Sequence, residues 1–399
     1  MLAIIIPVKM MAMFTRRLKP PARSFFLLGP RGTGKSTWLR AEFPGARTYN
    51  LLLDRELLRL EREPGLFRRE VDALPRGSWV VIDEVQRLPS LLNDVHDVLS
   101  LDERRVRFAL SGSSARKLRQ KDVNLLAGRA LSRQFFPLTS AELGEALDVD
   151  EALRFGLLPS VVTAESDGER IELLEAYRDT YLAHEIRAEG LVRRLDAFHR
   201  FLEVAALMNA QVTNVSSLAR DAGVTRPTVQ GFFEVLVDTL LATLLPAFRP
   251  RARVKEVGHP KLYLFDPGVA RVLAGRVREP LERAERGHLF ETWLHGELRA
   301  AMHDLSTGGA LSYWRTPAGL EVDFVWSRAS THIGIEVKAT ERFRLEDAAG
   351  LVALHEQLGL ARCIVVYLGQ SAQRVGAIDV LPIGQFLEEL AAGRVLRAS

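Results

Sequence analysis

Cysteine is almost absent from this chain of 399 residues, which contains Cys363 alone. One cysteine cannot form an internal disulfide or a cysteine-based zinc site, so the sequence excludes a disulfide-stabilised scaffold and indicates a reducing compartment. Long apolar runs are missing too. The longest, residues 235–248, is interrupted by Asp238 and Pro246 and falls short of the roughly 18 residues that a membrane span needs. We therefore expect a cytoplasmic protein with no membrane partner.

A large charge excess is also absent. The chain has 54 basic and 50 acidic side chains, a net charge of +4, so a nucleic-acid partner can be inferred only from local clusters and not from the total. The apolar residues 1–8 are followed, not preceded, by basic residues, and we expect no export signal. Met10, Met11 and Met13 leave a later start open.

A glycine-rich motif follows the short apolar run of residues 25–28. Its letters are Gly29-Pro30-Arg31-Gly32-Thr33-Gly34-Lys35-Ser36, and Thr37 continues into a predicted helix. This is the P-loop pattern, in which glycines allow backbone amides and a helix N-terminus to face phosphate oxygens. Lys35 then reaches the β- and γ-phosphates, and the Ser36 hydroxyl binds Mg²⁺. The motif predicts ATP and Mg²⁺ as cofactors bound by residues 29–37.

Two further strands are predicted to end in polar residues. Residues 79–82 are an unbroken apolar run that ends in Asp83 and Glu84, and residues 106–110 lead into a serine-rich stretch that contains Ser113. Parallel strands deliver such groups to the carboxyl edge of a sheet, where ligands bind. We expect Asp83 to hold Mg²⁺, directly or through water, and Glu84 to polarise the attacking water as general base. Ser113 is predicted to lie beside the γ-phosphate.

These motifs together resemble a prokaryotic family of AAA-type ATPases. They are Gly-Pro-Arg-Gly-Thr-Gly-Lys-Ser at residues 29–36, Ile-Asp-Glu-Val-Gln-Arg-Leu-Pro at 82–89, Leu-Ser-Gly-Ser-Ser-Ala at 110–115 and Leu-Ala-Gly-Arg-Ala at 126–130. The resemblance extends to about Lys338. It implies ATP binding and hydrolysis, a sensor role for Ser113, and a C-terminal region of uncharacterised function.

The same resemblance places Arg129 like the arginine that such proteins direct at a neighbouring subunit's nucleotide. The fixed guanidinium fork of such an arginine stabilises transition-state charge. A paired surface arginine is the alternative interpretation. Basic neighbours compete for the role: Arg116, Lys117, Arg119 and Arg133.

The middle of the chain is predicted to be helical, because apolar residues recur three and four apart in residues 173–182. Residues 215–230 show helix-turn-helix spacing. Thr225 is expected to cap the second helix, and Arg226, Thr228 and Gln230 to face a DNA groove. A basic stretch that resembles the wing of a winged helix follows: Arg249, Arg251, Arg253, Lys255 and Lys261. Two interpretations of this segment stay open. One is contact with DNA phosphates, and the other is a packing module with a solvated basic hairpin.

The C-terminal part combines a helix after Gly287 with two alternating strands, residues 319–326 and 332–338. If residues 327–330 form a four-residue hairpin loop, Glu321 lies opposite Glu336 and Asp323 lies diagonal to it, so that these three and Lys338 share a face, whereas one extra loop residue would separate them.

Acidic residues of this part predict a second metal site. Glu291, Asp323 and Glu336 form an oxygen-rich set suited to Mg²⁺ or Mn²⁺, beside which Lys338 can orient or activate a water. The order resembles the PD-(D/E)xK nuclease core, although Val322 stands where the usual proline would be. The alternatives are a solvated strand face with Glu–Lys pairs and a retained fold without cleavage.

We therefore predict an α/β protein of three domains. They are a P-loop parallel-sheet AAA-type ATPase domain over residues 1–150, a helical bundle with a winged-helix-like segment over 151–258, and a restriction-endonuclease-like, PD-(D/E)xK nuclease-like domain over 259–399. The leading hypothesis is ATP-driven action on DNA with metal-dependent cleavage. The alternative is an ATP-driven switch or scaffold that recruits a protein partner and does not cleave. A third possibility is sequence-specific DNA binding through the helix-turn-helix without cleavage. A trans-acting arginine would also require a homo-oligomer.

Overall fold

The computed structural model describes residues 14–103, 105–114, 126, 128–181, 195–249 and 258–397. Its contacts divide the chain into two compact units. The first comprises Met1–Leu138 and Asp238–Leu240, and the second comprises Thr139–Val237 and Leu241–Ser399. The domain boundaries at residues 150 and 258 stay predictions.

The first unit is built on a parallel sheet in the order β2-β3-β4-β1-β5. Its described elements are β1 (Phe25–Leu28), α1 (Lys35–Glu42), β2 (Arg47–Asn50), α2 (Asp54–Arg62), α3 (Leu66–Asp72), β3 (Ser78–Asp83), a 3-10 turn (Val85–Arg87), α4 (Leu91–Leu101), β4 (Val106–Gly112) and β5 (Leu131–Gln134). The predicted α/β fold with a parallel central sheet is confirmed for this unit.

Both faces of this sheet are covered, which explains the unbroken apolar runs in β1 and β3. Val80 and Ile82 of β3 pack into one apolar cluster with Phe108. Val81, between them in sequence, packs into the other cluster with Phe25. The alternation of side chains along β3 therefore supplies both cores, and only the ends of the strands are left for polar groups.

The second unit begins with short helices and a three-stranded antiparallel sheet in the order β6-β8-β7. Its elements up to residue 273 are α5 (Ser140–Leu143), a 3-10 turn (Gly144–Ala146), α6 (Val149–Phe155), α7 (Pro159–Val162), α8 (Asp167–Ala176), a π-helical turn (Tyr177–Tyr181), α9 (Leu195–Leu207), β6 (Gln211–Val212), α10 (Val215–Asp221), α11 (Arg226–Asp238), β7 (Ala242–Leu245), β8 (Lys261–Leu264) and α12 (Pro267–Leu273). The two helices predicted over residues 215–230 are present as α10 and α11. β8 pairs with both β6 and β7 within this three-stranded sheet.

A six-stranded sheet in the order β13-β14-β12-β11-β10-β9 completes the unit. Its elements are α13 (Arg283–Asp304), β9 (Ala310–Arg315), β10 (Glu321–Arg328), β11 (Thr331–Lys338), a 3-10 turn (Leu345–Ala348), α14 (Ala349–Leu358), β12 (Arg362–Tyr367), β13 (Gln373–Val375), β14 (Ile378–Pro382) and α15 (Ile383–Ala391). β12 is the parallel core strand that its apolar run predicts. Cys363 is buried within it, and burial raises the pKa of its thiol to about 11, which fits a packing role.

The hairpin between β10 and β11 is tighter than predicted. Arg328 pairs with Thr331, so only Ala329 and Ser330 form the turn and the predicted four-residue loop is wrong. Ala329 adopts a positive φ of 53° without the Gly or Asn that usually signals such a turn. The error is two residues of register. A register shift between Val322 and Val325 in the pairing of β10 with β9 interrupts the regular alternation at this point, and the Asp323 amide donates to Glu336 Oε2 at 3.3 Å.

Candidate functional site

The P-loop connects β1 to α1 and curls tightly. Gly34, immediately before α1, has a φ of 94°, a left-handed conformation that glycine adopts without strain. Gly29 passes so close to the chain after β5 that a Cβ at this position would lie 2.3 Å from the Phe135 carbonyl oxygen. Larger residues at these two positions would therefore force the loop to move.

Lys35 turns its side chain into the loop. It is buried, and its Nζ donates to the carbonyl oxygens of Gly29 at 2.7 Å and Pro30 at 2.9 Å. Thr33 Oγ1 donates to the same Pro30 oxygen at 2.8 Å. Gly32 and Arg31 are exposed at the loop's surface. The loop is thus closed on itself around a buried ammonium group.

The opening turn of α1 supplies the remaining donors that phosphate binding needs. Amides of a first helical turn point out of the helix and favour anions. Ser36 and Thr37 lie in this turn and are half-buried, and their hydroxyl oxygens are ligand types that Mg²⁺ accepts. The loop, the ammonium group and the hydroxyls therefore fit the triphosphate and Mg²⁺ that the motif predicts.

Arg16 holds this loop from outside, and sequence reasoning missed it. Its guanidinium donates to the Thr33 carbonyl at 2.9 Å and to the Phe136 carbonyl at 2.7 Å, and it lies 4.1 Å from the Phe135 ring centroid. Arg16 thereby ties the P-loop to the segment after β5. No motif marks such a residue, because its partners are carbonyl groups that any residue carries.

Asp83 and Glu84 reach the same sheet edge at the end of β3. β1, β3 and β4 run parallel, with Leu28 paired to Gly112 and Ile82 to Leu110. Asp83 is buried, and its Oδ1 accepts a hydrogen bond from Ser111 Oγ. The serine-rich end of β4 thus orients the carboxylate that was predicted to hold Mg²⁺.

Glu84 lies in a strained conformation with specific partners. Its φ of 61° is left-handed, which is uncommon for a residue other than glycine and is concentrated at functional sites. Its Oε2 accepts hydrogen bonds from Ser113 Oγ at 3.0 Å and from Gln86 Nε2. Gln86 Nε2 also donates to Ser113 Oγ at 3.0 Å. The structure therefore connects the predicted sensor to the predicted base, and it adds Gln86, which sequence reasoning missed.

Arg129 lies at the opposite edge of the sheet. It precedes β5, and with Arg23, Arg107 and Glu103 it lines a cavity of about 660 Å³ at the amino ends of the strands. The P-loop, Asp83 and Glu84 follow the carboxyl ends. The competing Arg133 lies on β5 and donates to the Ser132 carbonyl at 3.0 Å. Arg116, Lys117 and Arg119 lie outside the described residues.

The predicted acidic residues of the second unit do come together, around a lysine that was not expected there. The Lys261 side chain is 3% exposed, and its Nζ lies 2.8 Å from Glu291 Oε1 and 3.1 Å from Asp323 Oδ1. It also contacts Glu321. Tyr263 donates its hydroxyl proton to Glu291 Oε1. The assignment of Lys261 to a surface basic run was wrong, because the side chain is buried among carboxylates.

Glu336 and Lys338 complete the cluster on β11. Lys338 Nζ donates to Glu336 Oε1 at 2.7 Å, and Glu336 Oε2 accepts from the Asp323 amide at 3.3 Å. Asp323 Oδ2 accepts from the Val337 amide at 3.0 Å. The predicted Glu-x-Lys pair is therefore adjacent to Asp323, with each of these carboxylate oxygens given a hydrogen-bond donor.

Burial and mutual repulsion dominate the electrostatics of this cluster. Burial, followed by the charge of Asp323, raises the pKa of Glu291 to about 8 and raises the pKa of Glu336 well above its ordinary value. Burial alone would lower the pKa of Lys261, but Glu291, Asp323 and Glu321 overcome it and raise that pKa well above 10.5. The ammonium group therefore stays charged among the carboxylates.

A resident divalent metal does not fit this arrangement as it stands. Within the part of the chain that the structure describes, no group of three or more His, Cys, Asp or Glu side chains is arranged to hold a metal ion. The reason is visible in the contacts: Lys261 lies between Glu291 and Asp323, and Lys338 engages Glu336.

The helix-turn-helix segment presents polar side chains at the start of α11. Thr225 Oγ1 accepts from the Thr228 amide at 3.4 Å, so the predicted cap is confirmed. Arg226 and Gln230 are exposed, as is Arg249 after β7. Arg251, Arg253 and Lys255 lie outside the described residues.

The described helices include no membrane-span candidate, since none combines sufficient length with sufficient apolar character.

Comparison with family models matches the chain in three consecutive parts. Residues 22–144, which contain the whole P-loop edge, match one model. The match is to an AAA domain. Residues 146–279 and 286–386 match two models described as domains of unknown function, DUF8612 and DUF4143. The AAA domain match and the geometry of the edge support an AAA-type ATPase, while the two other matches carry no activity.

The chain is also similar to individual proteins. The uncharacterised proteins Mb2031c of Mycobacterium bovis and Rv2008c of Mycobacterium tuberculosis are each 26% identical over 357 residues, covering 89% of this chain and 78% of theirs. Among solved structures, Thermotoga maritima RuvB has 17% identity and a TM-score of 0.27, over 56% of this chain and 82% of that one. Aeropyrum pernix ORC1 in complex with DNA has 12% identity and a TM-score of 0.32, over 66% and 88%. These scores are too low to carry an argument.

Proposed function

We propose that the first unit binds and hydrolyses ATP. One observation carries the proposal: the P-loop, Asp83 and Glu84 meet at one sheet edge in the segment that matches an AAA domain. Lys35 and the loop amides hold the phosphates, and Ser36 and Asp83 are the oxygen donors for Mg²⁺. When bound, Mg²⁺ supplies positive charge that neutralises the phosphate oxygens.

In this proposal Glu84 prepares the attacking water. Glu84 accepts a proton from the water as the water oxygen bonds to the terminal phosphorus, the bond from that phosphorus to the bridging oxygen breaks, and ADP and phosphate leave. Glu84 accepts the hydrogen bonds from Ser113 and Gln86 through Oε2, and we propose that it takes the proton after these bonds are released. We propose Ser113 as the residue that couples the γ-phosphate to this release.

The variant Glu84→Gln is expected to bind ATP within a few-fold of the wild type but to lose turnover by roughly 10²–10⁴-fold, because the amide cannot accept the proton. Binding is measured with a fluorescent ATP analogue and turnover by phosphate release. Glu42→Gln, an exposed change at the end of α1, is the control and keeps full turnover. Unchanged turnover in Glu84→Gln would show that Glu84 is not the general base.

We further propose that Arg129 acts on the nucleotide of a second copy of this chain. It lies at the amino edge of the sheet and the P-loop at the carboxyl edge. The four residues of β1 alone separate these edges by about 13 Å. This distance supports action in trans and hence a homo-oligomer.

Arg129→Ala and Lys35→Ala are each expected to be nearly inactive, while a 1:1 mixture recovers about a quarter of wild-type turnover, since half the sites keep Lys35 and half of those face an intact Arg129. Phosphate release from mixtures checks this. No recovery on mixing would contradict a trans arrangement. Arg133→Ala serves as the control and is expected to stay active. If Arg133→Ala is inactive and Arg129→Ala is active, Arg133 is the arginine that acts on the nucleotide of the second copy.

We propose DNA as the partner of the helix-turn-helix segment. The order α9, β6, α10, α11, β7, β8, with β8 paired between β6 and β7, supports a winged helix. Arg226 and Gln230 are exposed at the start of α11, the end of a recognition helix that contacts base edges. The capping bond of Thr225 fixes that end.

The double variant Arg226→Ala/Gln230→Ala is expected to bind duplex DNA at least tenfold more weakly and with a smaller salt dependence, because a phosphate or base contact is lost. Fluorescence anisotropy at several salt concentrations measures both. Glu234→Gln, an exposed change one turn further along α11, is the matched control. Equal affinity of the double variant and the wild type would contradict this DNA interface.

Two roles remain as proposals for the C-terminal part. Metal-dependent cleavage is supported by the adjacency of Asp323, Glu336 and Lys338. A non-catalytic role, in which the protein is an ATP-driven switch that recruits a partner, is supported by the position of Lys261 among the carboxylates. We favour the non-catalytic role, because cleavage needs a metal on oxygens that already have protein partners.

A further inference from the structure

The buried ammonium group of Lys261 satisfies its hydrogen-bonding capacity within the carboxylate cluster. An ammonium group has three N–H donors, and Lys261 Nζ contacts three carboxylates, those of Glu291, Glu321 and Asp323. The side chain is 3% exposed, so water does not compete for these contacts. A buried charge is tolerated only with such partners.

The carboxylate oxygens that a nuclease-type metal would use are engaged by protein donors. Asp323 Oδ1 faces Lys261 and Oδ2 accepts from the Val337 amide. Glu336 Oε1 accepts from Lys338 and Oε2 from the Asp323 amide. Mg²⁺ requires oxygens at about 2.0–2.1 Å in near-octahedral geometry. It would have to displace these donors and approach a fixed positive charge.

The element that carries Lys261 differs from those that carry its partners. Lys261 begins β8 of the three-stranded sheet, whereas Glu291 lies on α13 and Asp323 on β10. Charge pairing therefore joins the winged-helix-like segment to the six-stranded sheet. Arg315 also pairs with Glu321 at 3.5 Å, but removal of the ammonium group would leave Glu291 and Asp323 without the cation that they share.

We infer that Lys261 is the resident cation of this cluster and that its ammonium group excludes Mg²⁺ and Mn²⁺ from the carboxylates. The inference goes beyond ATP hydrolysis and does not depend on it. On this inference the cluster is a lysine-centred ion-pair network and not a metal centre, and Lys261 is the residue that prevents a divalent metal from binding.

The test is Mn²⁺ binding by the full chain in a Ser36→Ala/Asp83→Asn background without nucleotide, so that the oxygens proposed to hold metal at the P-loop edge contribute no site. Free Mn²⁺ is followed by its electron paramagnetic resonance signal. The parent is expected to bind no Mn²⁺ at the cluster up to about 1 mM. Lys261→Met is expected to gain one site at least tenfold tighter than any in the parent, and adding Asp323→Asn is expected to abolish it.

Arg362→Met is the matched control. Arg362 is a partly buried cation on the six-stranded sheet, paired with Asp379 at 2.9 Å, and its loss should create no Mn²⁺ site. A gain in this variant as large as in Lys261→Met would show a general charge effect and overturn the inference.

Two other results would also overturn it. One is a Mn²⁺ site in the parent that disappears with Asp323→Asn, a measurement that needs no change at Lys261. The other is a folded Lys261 variant that binds no more Mn²⁺ than the parent. If circular dichroism shows that Lys261→Met does not fold, Lys261→Gln replaces it, since glutamine keeps a hydrogen-bond donor but no charge.

Discussion

The parallel register of β1, β3 and β4 is the constraint on which the nucleotide site depends. It pairs Ile82 with Leu110 and Leu28 with Gly112, so that the P-loop and Asp83 leave the sheet at one edge beside the end of β4. Alternate residues of β3 are buried in opposite cores, and a slip of one residue would exchange them. The packing that fixes the fold therefore also fixes the contact of Ser111 with Asp83.

Charge, in contrast, organises the cluster in the second unit. Lys261 on β8 faces carboxylates on α13 and β10, and all of these side chains are largely buried. Removing one member of such a set leaves an uncompensated buried charge. The resulting loss of folding stability is larger than the stability that the complete set contributes. The acidic residues follow each other in the sequence in the order typical of a nuclease. In the structure, however, Lys261 serves as their counter-ion, and the nuclease resemblance does not include this lysine.

Contiguous motifs were predictable and distant partners were not. The P-loop, the acidic end of β3 and the strands β1, β3 and β4 follow from local patterns, because apolar runs and glycine spacing are visible in sequence. Strands β2 and β5 have no apolar run and were not predicted. Arg16 carries no such signal. Gln86 lies inside the motif at residues 82–89, but the motif does not show that its side chain contacts Glu84 and Ser113. Lys261 was assigned to the surface, since lysines are rarely buried and its partner Asp323 lies far along the chain. The hairpin at Ala329 was misjudged because its sequence lacks the residues that usually mark a two-residue turn.

The central claim is that this chain hydrolyses ATP and acts on DNA. Its most direct test is the rate of phosphate release by the purified full chain with ATP and Mg²⁺, measured without and with duplex DNA. The account predicts turnover that EDTA abolishes and that DNA increases severalfold, with loss of the increase at high salt as phosphate contacts weaken. Absence of phosphate release under every condition, with the protein folded and nucleotide bound, would contradict it.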